Sequence, residues 1–134
     1  MGKSNYFRKE EDLDTLWKDS SSTGINFSKY EKIQVTVNGE NKTKPIQTFD
    51  EAGFAPLLMS NIKRAKYETP TPVQKHGISI LMAGRDLMAC AQTGSGKTAA
   101  FLFPVINNLI ATKPESKDGM AVTPQMVVMA PTRE

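Results

Sequence analysis

The chain is 134 residues long, with a hydrophobic fraction of 39% and a formal net charge of +3. That length fits one modest domain, and this hydrophobic fraction is enough to form its core. No run approaches the roughly 18 consecutive apolar residues of a membrane-spanning helix, and the polar start predicts no secretory signal. Cys90 is the single cysteine, which excludes an internal disulfide or a cysteine-based zinc site.

Residues 1–45 are predicted to form a weakly ordered arm. Apolar residues are sparse there, and the Ser/Thr/Gly run at 20–24 breaks any helix begun upstream. Alternation at 32–37 predicts a short strand, and Asn38-Gly39 predicts a turn after it. Trp17 is expected to pack the arm onto the rest of the chain, with contact to a partner as the alternative.

Two amphipathic helices are predicted next. Residues 48–51 (TFDE) have the Thr-x-x-Glu form of a capping box, and the apolar residues that follow extend a helix over about 50–65. Thr71-Pro72 supplies a cap and a first helical residue for a second helix, which Gly84 ends. Gly77 lies inside this helix with no reason visible in the sequence.

The remainder of the chain predicts a βαβ unit, and the fold class is therefore α/β. Short apolar runs at 86–91 and 125–130 are typical of buried strands. Residues 97–110 between them predict a helix, kinked near Pro104. Because Cys90 lies inside the first strand, we expect it to be a small buried side chain and not a reactive thiol.

The turn before this helix has the pattern of a phosphate-binding loop. Glycines allow the backbone to approach a phosphate chain closely, and a helix N-terminus attracts anions. Lys97 is predicted to reach the β- and γ-phosphates and Thr98 to ligate Mg²⁺. Position 91 is Ala where the general pattern has Gly, and an ordinary glycine-rich turn is the alternative. The loop consists of Ala91, Gln92, Thr93, Gly94, Ser95, Gly96, Lys97 and Thr98.

Four features of the sequence form a family pattern. Residues 67–74 (YETPTPVQ) precede the loop, Phe49 lies 17 residues before Lys66, and the loop reads A-x-T-G-S-G-K-T. Residues 131–134 (PTRE) follow the second predicted strand. The combination resembles the DEAD-box ATP-dependent RNA helicases, and residues 24–134 are most similar to the Vasa and Belle/PL10 branch. In that family these features are the Q motif (about 47–75), its isolated aromatic, the phosphate loop and motif Ia.

The resemblance implies that residues 46–134 are part of a RecA-like domain that uses ATP and Mg²⁺ and binds RNA. Gln74 is expected to read the adenine edge, with the ring of Tyr67 or Phe49 near the base. Residues 91–98 are expected to hold the phosphates and Mg²⁺. RNA is expected to be bound through its backbone, with little sequence preference. The residues implied in that contact are Pro131, Thr132 and Arg133.

Each of these roles has a structural alternative. Gln74 lies three residues after Thr71 and could complete a second capping box, with or without reading adenine. Tyr67 and Phe49 could be ordinary packing aromatics. Arg133 could be a solvated side chain.

Two positions depart from the family pattern. Lys66 stands where the family usually has Gly, so the exact shape of the loop at this position is not predicted. Thr69 stands where close relatives often have Arg, which removes a base contact, so weaker ATP affinity is expected. His76 is expected to be structural.

The sequence contains no Asp-Glu-Ala-Asp, the family's carboxylates that position Mg²⁺ and the attacking water. We therefore expect a fragment that is inactive alone, is marginally stable and exposes apolar strand edges. A truncated, non-catalytic regulator that binds nucleotide or RNA is one alternative. Another phosphate-loop enzyme is a second, disfavoured by the Gln74-type motif. The resemblance implies a cytoplasmic location, with nuclear passage open.

Overall fold

The computed structural model describes residues 33–112 and 124–131. Within these ranges the elements are one turn of 3-10 helix and three α-helices. The turn spans Asp50–Ala52, and the helices are α1 (Pro56–Arg64), α2 (Pro72–Met82) and α3 (Lys97–Ala111). The predicted arm up to residue 32, which includes Trp17, lies outside the described residues.

The first predicted helix, over 50–65, is divided in the structure. The 3-10 turn ends at Gly53, which has a φ of 69°, and α1 begins only at Pro56. A residue before proline disfavours the helical region, so Pro56 can start a helix but does not continue one through Ala55. The predicted capping box is also wrong, because the residue before the 3-10 turn is Phe49, without a side-chain cap.

The end of α1 explains the first departure from the family pattern. Lys66 has a φ of 59°, in the left-handed region that favours glycine. Its N–H donates to the Lys63 carbonyl at 3.0 Å, and the Tyr67 N–H donates to the Ile62 carbonyl at 3.2 Å. These two bonds form a Schellman motif, in which the residue after the left-handed one packs back onto the helix. Tyr67 is accordingly packed against the core that includes Ile62.

Helix α2 confirms the prediction for this segment. Thr71 is its N-cap, and Gly84 follows its last turn with a φ of 71°. The next residue, Arg85, donates from its guanidinium to the backbone carbonyls of Asn41 at 2.6 Å and Glu40 at 2.7 Å. This contact fastens the segment before the 3-10 turn to the end of α2.

The most extensive helix packing in the described residues is between α2 and α3, and it accounts for Gly77. A Cβ built on Gly77 would lie 3.2 Å from Leu87 Cδ2 and 3.4 Å from Ala100 Cβ. The missing side chain therefore lets α2 approach both α3 and the segment that follows α2. Helix α3 forms as predicted and contains Pro104, while the kink there stays a prediction. The buried core consists of Ile46, Phe49, Phe54, Leu58, Ile62 and Ile78.

The three predicted strands are not formed in the described residues. Residues 33–37, 86–91 and 125–130 carry no strand pairing, so the βαβ unit is not observed there. A buried parallel strand needs neighbouring strands to pair with and helices over both faces. No strand pairing is present in the described residues of these segments. Most of their apolar side chains are exposed, with exposed fractions of 91% for Met88 and for Met129. The segment 33–43, α2 and residues 85–92 instead line an open groove of about 800 Å³.

Because the strand predicted at 86–91 is not formed, the expectation that Cys90 is buried is wrong. Its thiol side chain is exposed, not buried, because the segment that contains it is not covered by a sheet. Among the described residues, no helix is both long and apolar enough to cross a membrane.

Candidate functional site

The predicted phosphate loop joins the segment after α2 to the start of α3. Gly94 and Gly96 have φ values of 79° and 86°, a region that side chains disfavour. Gly96 is the N-cap residue of α3, and Lys97 is the first residue of the helix. The free N–H groups of a helix N-terminus therefore adjoin the loop, which is the arrangement that favours an anion.

The ammonium of Lys97 lies over the loop. It donates to the backbone carbonyls of Ala91 and of Gln92, the latter at 2.8 Å. Thr98, the next residue, is exposed at the start of α3. A cation and a free hydroxyl are thus presented at the same helix end, which is suited to a phosphate chain with a bound metal ion.

Ser95 provides an independent sign of an anion site. The residue is 4% exposed, and its Oγ is buried without a hydrogen-bond partner in the part of the chain that the structure describes. Leaving a buried hydroxyl unpaired costs about 1–3 kcal/mol. A phosphate oxygen would accept its hydrogen bond, so the residues of this loop fit an ATP phosphate chain.

Two side chains of α2 are hydrogen-bonded to the loop. The Thr71 hydroxyl donates to the Ser95 carbonyl at 2.7 Å, and Gln74 Nε2 donates to the Gly96 carbonyl at 3.2 Å. Gln74 Oε1 accepts the Thr71 N–H at 2.9 Å, which is one arm of the capping box that these residues form. The structural role foreseen for Gln74 is therefore present, and base reading stays a prediction.

Gln74 is fully buried, with an exposed fraction of 0%. A carboxamide offers two hydrogens and two oxygen lone pairs. The contacts with Thr71 and Gly96 use one of each, so one donor and one acceptor position are left on the side chain. A base could use them only after the covering backbone had moved.

The aromatic side chains predicted to lie near a base belong to one cluster. Phe49 is 2% exposed and Tyr67 is half-buried, with ring centroids 6.1 Å apart and an interplanar angle of 90°. Phe103 on α3 contacts both rings, and Phe54 contacts Phe103. The sequence did not indicate that Phe103 belongs to this cluster. Its ring partners lie at residues 49–67, far from position 103 in the sequence, so no local sequence pattern points to these contacts.

His76 lies on α2 beside the open groove. Burial, and secondarily the positive charge of Lys75, lower the pKa of His76 from its usual 6.5. The ring is therefore neutral at pH 7, which agrees with a structural role.

The predicted RNA-contacting segment is described only at its first residue. Pro131 is exposed. Thr132 and Arg133 lie outside the described residues, so their predicted role rests on the sequence.

Comparison with known proteins identifies the class. Residues 71–134 match the family described as DEAD/DEAH box helicase. This match covers just under half of the chain, and it confirms the resemblance to the DEAD-box helicases found in the sequence. The chain is similar to the ATP-dependent RNA helicase vasa of Drosophila melanogaster, with 44% identity over 119 residues. The alignment covers 89% of this chain and 18% of that relative.

Proposed function

We propose that this chain is the ATP-binding segment of an ATP-dependent RNA helicase. The observation that carries the proposal is the pair of hydrogen bonds from Thr71 and Gln74 to the carbonyls of Ser95 and Gly96. Gln74, whose side chain could bind a base, is thereby hydrogen-bonded to the loop that is suited to bind phosphates. A helicase relative over most of the chain supports the same function.

The loop residues account for binding of the triphosphate. In the proposed complex, Lys97 exchanges the Ala91 and Gln92 carbonyls for the β- and γ-phosphates, and Ser95 gives its unpaired hydroxyl a partner. Thr98 ligates the Mg²⁺ that neutralises the phosphate charge. The backbone N–H groups of residues 92–98 complete the contact.

Gln74 accounts for the choice of base. Adenine presents an N7 acceptor beside an N6 donor, which matches the two bonding positions that Gln74 retains. Because Gln74 is buried beneath Ser95 and Gly96, phosphate binding would have to shift the loop before the base could reach it. Tyr67 supplies a partly exposed ring beside the base, while Phe49 supports that ring from the core.

The proposal also includes the formation of a parallel sheet and the binding of RNA. Residues 86–91 and 125–130 become parallel strands of a RecA-like α/β domain when neighbouring strands and covering helices are present. Pro131, Thr132 and Arg133 then lie at the end of a strand and contact RNA phosphates without sequence preference. A cytoplasmic location, with nuclear passage open, follows from the same resemblance.

The residues of this chain account for nucleotide binding and not for hydrolysis. No Asp-Glu-Ala-Asp sequence is present to position the attacking water. The alternative expected from the sequence is a non-catalytic regulator that binds nucleotide or RNA. A transcript that continues past the Glu134 codon into such a sequence would favour the helicase, and a stop codon there would favour the regulator.

The test is calorimetric titration of the chain with ATP and Mg²⁺. We expect saturable 1:1 binding that Lys97→Ala weakens by about 10- to 100-fold, as expected for loss of a charge-assisted hydrogen bond. Lys63→Ala is the matched control, since Lys63 is an exposed lysine paired with Asp50 at 3.0 Å, away from the loop. Equal affinity of the Lys97→Ala variant and the wild-type chain would refute the phosphate-loop assignment.

A further inference from the structure

We propose that Phe103 is a positioning residue for base recognition, acting through the ring of Tyr67. The inference rests on the proposed function and deepens it. Phe103 lies outside the segments that resemble family motifs, and it is on α3, the helix that begins at the phosphate loop.

Two perpendicular rings flank Tyr67. The centroid of Phe103 is 5.2 Å from that of Tyr67, at an interplanar angle of 81°, and Phe49 lies 6.1 Å away at 90°. Edge-to-face pairs of this kind are favoured by the ring quadrupoles. Because the two neighbours come from different elements, they restrict the Tyr67 ring in two directions.

The backbone of Tyr67 is fixed separately. Its N–H donates to the Ile62 carbonyl in the Schellman motif that ends α1. With the backbone held there, the remaining freedom of the side chain lies in the orientation of the ring. Phe103, the nearer of the two ring neighbours, is the residue that sets it.

The position of Phe103 on α3 couples the base to the phosphates. Lys97 and Thr98 occupy the first turn of the same helix. A helix is a rigid spacer, so a displacement of its N-terminus on phosphate binding carries Phe103 with it. The position of the Tyr67 ring beside the base therefore follows the position of Lys97 and Thr98, which hold the triphosphate.

Phe54 offers a matched control. It is buried and its ring contacts Phe103 at 6.2 Å and 82°, but the described ring contacts of Tyr67 are with Phe49 and Phe103. Phe54→Leu and Phe103→Leu remove the same atoms from the same cluster. Only the second removes a ring that touches Tyr67.

The test compares ATP with inorganic tripolyphosphate, each titrated with Mg²⁺ into the 134-residue chain. We expect Phe103→Leu to weaken ATP by about fivefold and to leave tripolyphosphate unchanged. Phe54→Leu should change neither affinity. The double variant Phe103→Leu/Tyr67→Leu should bind ATP no more weakly than Tyr67→Leu alone, since both changes act through one ring.

Equal weakening of both ligands by Phe103→Leu would overturn the inference, and so would a selective effect of Phe54→Leu or additive losses in the double variant. Phe103→Met, which fills the space without a ring, gives the same readout if the leucine variant does not fold. If the wild-type chain binds neither ligand, the proposed function itself fails. Wild-type ATP binding that Phe103→Leu leaves unchanged refutes the positioning role alone.

Discussion

Gln74 Nε2 donates to the Gly96 carbonyl over 3.2 Å, and the two residues are closely packed. A Cβ built on Gly96 would clash with Gln74 Nε2, so the buried Gln74 side chain would have to move. The φ of 86° at Gly96 adds a backbone reason for glycine. The loop and the start of α2 therefore form one packed unit.

Gly96→Ala is expected to lower the free energy of unfolding by about 2 kcal/mol or more and to weaken ATP binding. The left-handed backbone costs about 1–2 kcal/mol with a side chain, and displacing Gln74 adds to it. Chemical denaturation gives the first quantity and calorimetry the second. Gly53→Ala is the control, because Gly53 has a φ of 69° with nothing within 4 Å of a built Cβ. Equal losses in the two variants would contradict the close packing of Gly96 on Gln74.

Lys66→Gly is expected to stabilise the chain by about 0.5–1 kcal/mol. Lys66 holds the left-handed position of a Schellman motif at a φ of 59°, where glycine has no Cβ penalty. Gly84 holds the equivalent position after α2 at a φ of 71°, so Gly84→Ala should destabilise by a similar amount. Denaturant midpoints at unchanged slope report both changes. A destabilising Lys66→Gly would show that the lysine side chain makes a contact that outweighs its backbone strain.

Acidification is expected to destabilise the chain through His76. Its folded-state pKa lies below the unfolded value of 6.5, because burial and Lys75 disfavour the charged ring. The unfolded chain therefore binds more protons in this range, and stability is present above pH 6.5 and lost as the pH falls through the folded pKa. His76→Gln, which stays neutral, should lose less stability than wild type between pH 7.5 and 5.5.

His76 is the only histidine, so its NMR titration reports the pKa directly. Lys75→Gln should raise that pKa by removing the neighbouring positive charge. A pKa at or above 6.5 in the folded wild type, or identical acid sensitivity of His76→Gln, would contradict the assignment.

Local rules predicted the parts of the fold that depend on local chemistry. The Thr71-Pro72 start and the Gly84 end of α2 follow from capping and backbone preferences, and both are observed. The division before Pro56 also follows from a local rule, but the helical spacing of apolar residues on either side obscured it. At Lys66 the local rule was no guide. The backbone is in the left-handed region that favours glycine, although the residue is a lysine.

Local rules could not decide whether the segments at 86–91 and 125–130 form strands. Their composition is that of buried strands, but a strand exists only through hydrogen bonds to neighbours in a sheet. No strand pairing is present in the described residues, and most of the apolar side chains in these two segments are exposed instead.

The backbone geometry of the loop at 91–98 could be anticipated, because its glycines and the start of α3 are neighbours in the sequence. Its role in binding phosphates stays a prediction. The ring contacts of Phe103 and the bond from Gln74 to Gly96 join distant parts of the sequence, and only the structure reveals them.

The most direct test of a base-reading Gln74 is the ratio of affinities for ATP and 7-deaza-ATP, in the wild-type chain and in Gln74→Glu. Glutamate at this position keeps an oxygen for the Thr71 N–H of the capping box, but it has no N–H to donate to adenine N7 or to the Gly96 carbonyl. Because the Gly96 bond is lost for both nucleotides, the ratio of the two affinities reports the contact with N7. We predict that the wild-type chain prefers ATP by about tenfold and that Gln74→Glu has lost this preference. The same ratio in both proteins, or no preference in the wild type, would leave Gln74 with its capping role alone and contradict adenine recognition at this site.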